Sequence, residues 1–170
     1  MSTDLDSPIN SAGALRPFAL VALLAGGLLA LGLPGQAQEQ TGGDFWRFGG
    51  CFNCHGLMAD GNGDAAYPAG PNLRRTALDR DQLIETIACG RPDTPMPMHL
   101  EGGYTEIACF EMPLGPMPNN VLLGATLTAE QIETLVDFLV TNVVGQTRVT
   151  RVNCAAFYGG NLNAPACFQY

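Results

Sequence analysis

Apolar residues fall into three unlike patterns along this chain. From Phe18 to Leu33 they form one nearly unbroken run, closed by Pro34 and Gly35. Between Asp79 and Cys89 they recur at helical spacing, with Leu83, Ile84, Ile87 and Ala88 on one side and Gly90 and Pro92 as stops. From Thr128 to about Val143 the period is stronger. Ile132, Leu135, Val136 and Leu139 fall at i, i+3, i+4 and i+7, Val143 continues the stripe, and Gly145 ends it. Thr128-Ala129-Glu130-Gln131 is a capping box that fixes the start. A shorter helix carrying Phe45, Trp46 and Phe48 is expected near residue 44, with Asp44 placed to cap it. Between these stretches glycine and proline break every period. The segment 91–99, with prolines at 92, 95 and 97, reads as extended and stiff. No alternating strand pattern stands out, and the predicted class is all-α.

The first run is about 16 residues, short of the ~20 that a membrane span prefers. Arg16 precedes it, and Gly35-Gln36-Ala37 supplies the small residues of a cleavage site. Residues 1–37 are therefore expected to be a signal peptide. Left uncleaved, residues 18–33 would anchor the chain to the inner membrane.

Without residues 1–37, 7 arginines face 14 acids, a formal charge of −7, and the chain has no lysine. So acidic a surface repels nucleic acid and anionic lipid. It favours a partner that presents a basic patch.

Between the helical stretches lies Cys51-Phe52-Asn53-Cys54-His55. Cys-x-x-Cys-His is the attachment pattern for c-type haem. Each thiol can add across one porphyrin vinyl group, and the next histidine is then held against the iron. A thioredoxin-like motif would follow a strand in a βαβ pattern, which is absent around Cys51. A zinc site needs further Cys or His nearby, and the next cysteine is Cys89. The motif occurs once, so one haem c is expected. Farther on, Asp60, Asn62 and Asp64 imitate the start of a calcium loop. Ala65 replaces the required glycine and Pro71 the twelfth-position glutamate, so a glycine-rich turn is the better reading.

Two cysteines for haem leave Cys89, Cys109, Cys154 and Cys167. Sequence proximity favours Cys89–Cys109 and Cys154–Cys167 among the three pairings, and an exported chain permits them. The long stretch 99–126 and the tail 146–170 are expected to be disulfide-held straps over the haem crevice or the core. Residues 38–145 would form the main domain.

The segment Gly70-Pro71-Asn72-Leu73, the Met96-Pro97 step after a helix and a glycine, and the final amphipathic helix, in that order after the haem motif, resemble the class I monohaem c-type cytochromes. That resemblance implies a small helical fold around one covalent haem, attached outside the cytoplasm, hence in the periplasm. It implies that the Pro71 carbonyl accepts a hydrogen bond from His55 and orients it. The second axial ligand would be a thioether or an imidazole from Met96, Met98, Met112, Met117 or His99. The family's habit of a Met-Pro step favours Met96, and Met117-Pro118 also fits. The implied function is a one-electron carrier with His55 and Met96 on the iron and redox proteins as donor and acceptor. A dedicated subunit of a larger periplasmic oxidoreductase, such as a quinoprotein dehydrogenase, is the alternative. A haem peroxidase with His99 as distal base is a minor one.

Overall fold

The computed structural model describes residues 39–170. The expected signal peptide and the possible anchor at 18–33 lie outside the described residues. No helix among the described residues is long and apolar enough to cross a membrane.

Helix α1 spans Gly42–Phe48. Its cap is Thr41 rather than Asp44, which sits three residues on and closes the box by accepting from the Thr41 N–H at 2.7 Å. Helix α2 is a single turn, Cys51–His55, entered through Gly50 at φ 68°. Helix α3 spans Arg80–Cys89, with Asp79 and Gln82 forming its capping box. Gly90 (φ 68°) ends it, and the Met96–Met98 segment passes so close that a Cβ there would lie 2.6 Å from the Met98 nitrogen. Helix α5 spans Ala129–Asn142 and opens on the Thr128/Gln131 box; α4 (Gly103–Glu106) and α6 (Arg151–Ala156) are short.

The all-α expectation needs correction. Strand β1 (Met98–Leu100) pairs in parallel with β2 (Leu123–Leu127), at an irregular register that opposes Met98 to Leu123 and Leu100 to Leu127. A parallel pair requires a long crossover. The stretch expected to be a long loop supplies it, and carries α4 and a 3₁₀ turn at Cys109–Glu111 on the way. Three-residue β1 follows a proline-rich segment, too short for alternation to declare itself.

The core lies where α5 meets α1 and α3. Ile132, Leu135, Val136, Leu139 and Val143 are all buried. Gly42 lets α1 cross α5 closely, because a Cβ there would overlap Phe138 and meet the Thr134 carbonyl. Both expected disulfides are present, Cys89–Cys109 and Cys154–Cys167. The tail packs on the core rather than over a crevice. Phe157 meets Trp46 and Phe138 edge-on, with ring centroids 5.8 and 4.9 Å apart. The Arg47 guanidinium donates to the Phe157 carbonyl and lies over the Tyr158 ring at 5.3 Å. Buried Arg74 donates to the Met58 carbonyl (2.7 Å) and the Gln146 carbonyl (2.9 Å), joining the segment after α2 to the start of the tail.

Candidate functional site

The single turn of α2 puts Cys51, Cys54 and His55 on one stretch of wall. Neither cysteine is in a disulfide. A five-residue helix leaves its last carbonyls without intrahelical partners. Here the following loop takes them: Asp64 N–H donates to Asn53, Gly70 N–H to Cys54 and Gly61 N–H to His55, at 2.7 to 2.8 Å. The 60–64 run is thus a turn, with the Asp60 carboxylate accepting from the Asn62 N–H at 3.2 Å and the Asn62 side-chain amide at 2.9 Å. The loop that folds back carries Gly70 and Pro71 to the histidine.

His55 Nδ1 lies 2.9 Å from the Pro71 carbonyl oxygen. A carbonyl can only accept, so Nδ1 carries the proton and Nε2 keeps its lone pair. Burial lowers the His55 pKa, against the opposing pull of the Pro71 bond, and holds the ring neutral. Gly70 is in van der Waals contact with this ring. A Cβ there would lie 2.8 Å from Nδ1 and 2.9 Å from Cε1. The Cys51 thiol is pushed up to about 12, chiefly by burial, so it is a protonated thiol and not a thiolate nucleophile.

These groups open onto a cavity of about 970 Å³, at the upper end of the ~300–1,000 Å³ usual for small-molecule sites. Met96 and His99 line the same cavity, as do Trp46 and the core residues Leu135 and Leu139. The indole Nε1 of Trp46 is buried without a hydrogen-bond partner among the described residues. Of the other methionines in question, Met98, Met112 and Met117 pack against the core and do not line the cavity. Met98 instead has its sulfur against Gly103. The lining holds two arginines, Arg75 and Arg91, and no carboxylate. That is notable in a chain with twice as many acids as arginines beyond residue 37.

The structure brings together, on one cavity wall, the two cysteines, His55, Pro71 and Met96 that the sequence singles out. Sequence reasoning missed Arg75, Arg91 and the clamp around His99, because these come together only through the β1–β2 pairing and the turn after Pro71. The donor set fits a large, flat, covalently held macrocycle: two free thiols, an oriented imidazole with its lone pair available, a soft thioether, and apolar walls. Cys51 and Cys54 would hold it, and His55 and Met96 could ligate its metal.

The wall therefore gathers two thiols, an oriented imidazole and a thioether around one cavity. In sequence, the chain is 40% identical over 72 residues to a protein named cytochrome c55X from Stutzerimonas stutzeri, covering 41% of this chain and 58% of that relative. The match thus spans less than two thirds of the relative's length. No family model matches the chain, and no solved structure does. The comparison supports likeness to a cytochrome c over those 72 residues, and no finer class.

Proposed function

We propose that this protein is a periplasmic one-electron carrier holding one haem c through Cys51 and Cys54, with His55 and Met96 as its axial ligands. The observation that carries this reading is the shared cavity: free Cys51 and Cys54, His55 locked by the Pro71 carbonyl, and Met96 all face one carboxylate-free space. The haem supplies a one-electron iron couple. The chain supplies everything else. His55 presents Nε2 in a fixed tautomer, Met96 presents a soft thioether from a proline-stiffened segment, and Trp46, Leu135 and Leu139 supply an apolar wall. A thioether ligand and an apolar wall both raise the potential. Weak redox encounters use small interfaces, so short-lived complexes suffice for transfer. The acidic surface would steer the chain toward a donor or acceptor with a basic patch.

A subunit role in a larger periplasmic oxidoreductase is the second reading. It is favoured by exposed Leu114 on the crossover and Leu123 on β2, apolar side chains that a partner subunit would cover. Two measurements test the proposal. Intact mass of the matured protein should exceed the polypeptide by one haem. The ferric spectrum should be low-spin with the far-red thioether-to-iron band, and Met96→Ala should abolish that band while Met117→Ala retains it. A bare polypeptide overturns the cofactor reading; a band that survives Met96→Ala overturns the ligand. Gel filtration of the native protein separates the free carrier from the subunit.

A further inference from the structure

His99 is the cavity's second histidine, and it is built like the first. It is buried, at 4% exposure. Its Nδ1 lies 2.7 Å from the Ala125 carbonyl oxygen, which fixes the proton on Nδ1 and leaves the Nε2 lone pair available. Nε2 makes no hydrogen bond to any described residue, while the ring lines the cavity. Gly124 clamps the ring so closely that a Cβ there would lie 2.8 Å from Nδ1 and 3.0 Å from Nε2. On the other side the ring reaches toward Gly49, which abuts the Cys51 sulfur. Nε2 is not among the buried unpaired polar atoms of the described residues, so it opens on the cavity space rather than being sealed in the core. Apart from His55 and the two cysteines, Met96 and His99 are the neutral sulfur and nitrogen donors on the cavity wall. They sit three residues apart on one stiff segment, and the chain has no lysine.

We infer that His99 is a reserve axial ligand, whose Nε2 takes the iron position opposite His55 when the Met96 sulfur does not hold it. This rests on the haem reading above. Were the Met96 thioether lost, His99 would offer an imidazole nitrogen in its place, an exchange of one neutral donor for another that leaves electron count and protonation unchanged. β1 carries His99 and the proline-flanked segment just before it carries Met96, so a small shift of residues 96–99 would trade one donor for the other. The consequence is a site that stays six-coordinate, and closed to peroxide and other small ligands, after loss or oxidation of the thioether.

The test compares haem-loaded Met96→Ala with Met96→Ala/His99→Phe, by spin state in optical and electron paramagnetic spectra, by midpoint potential, and by carbon monoxide binding to the reduced protein. The single variant is expected to be low-spin and bis-imidazole, with a lower potential than the wild type. The double variant is expected to be high-spin. It should bind carbon monoxide at least about tenfold more tightly than the single variant, since an internal ligand reduces the competent fraction. Should the alanine variant mature poorly, Met96→Leu keeps the volume and serves the same comparison. A high-spin single variant whose carbon monoxide affinity equals that of the double variant overturns the inference. The far-red band of the unmodified protein decides Met96 separately, and a protein that matures without haem overturns both readings.

Discussion

At the scale of single residues the pocket depends on close approaches as much as on donors. Gly70 is the clearest case. Its missing Cβ leaves room for the His55 ring, and its neighbour Pro71 supplies the carbonyl that sets the tautomer. Gly70→Ala forces either the ring or the loop to move, an overpacking cost of about 1–3 kcal/mol. The expected result is a lower denaturation midpoint together with a shifted haem potential. Asp44 gives a pH-dependent counterpart. Its bonds from Thr41, with Arg47 nearby and outweighing its slight burial, hold its carboxyl below the usual aspartate range. A carboxylate with a depressed folded pKa stabilises above its unfolded pKa and loses that contribution as pH falls through the folded one. Thermal melts of wild type and Asp44→Asn should therefore differ at neutral pH, with the gap narrowing as pH falls below the ordinary aspartate value and the carboxylate takes up its proton. A gap that does not narrow on acidification would show that the carboxylate charge does not stabilise the start of α1.

At the scale of elements, the two disulfides look alike in sequence and differ in what they hold. Cys154–Cys167 staples a tail whose residues line no part of the cavity. Cys89–Cys109 fastens the end of α3, one residue from the glycine over which the Met96 segment passes. Each closes a loop of similar length, worth about 3 kcal/mol. Cys154→Ala/Cys167→Ala is expected to cost stability and leave the haem spectrum and potential unchanged. Cys89→Ala/Cys109→Ala should cost a similar amount and also weaken the far-red thioether band. Equal spectra for the two pairs would mean that α3 does not position Met96. The same contrast explains what could be read in advance. Helices α3 and α5 were legible because an apolar stripe of 10 to 14 residues between a capping box and a glycine allows few alternatives. The cavity's chemical core was legible because Cys51, Cys54 and His55 are local in sequence. The sheet was not: β1 is three residues long and its partner lies more than twenty residues away, so nothing local announces the pair. The clamp on His99 was hidden for the same reason, since Gly124 and Ala125 reach it only through that pairing. The cap of α1 was misplaced by three residues because Thr41 and Asp44 are both good caps, and only the geometry shows which side chain lies outside the helix.

At the scale of the molecule, two electrostatic fields of opposite sign compete near the pocket. Beyond residue 37 the chain carries −7, spread over its surface. The cavity wall carries Arg75 and Arg91, both exposed, and no carboxylate. Which field an approaching redox partner meets depends on distance relative to the screening length, about 30 Å at 0.01 M ionic strength and about 8 Å at 0.15 M. At low salt a charge far from the pocket still acts there, and the net negative charge governs the encounter. At physiological salt only groups within a few ångströms contribute, and the two arginines weigh more. Electron transfer with small inorganic reagents separates these contributions. A cationic cobalt complex should react faster at 0.01 M than at 0.5 M, by about tenfold or more, because steering of this kind falls steeply with ionic strength. An anionic hexacyanoferrate should show the reverse slope at low salt and flatten near 0.15 M, where the arginines offset the residual repulsion. In Arg75→Gln/Arg91→Gln that flattening should disappear, with the anion slower than in the wild type at every salt concentration. An anion that gains rate as salt is removed from the wild-type protein would mean that the pocket's local cations outweigh the acidic surface even at long range. The natural partner would then present acids, not bases, to this face.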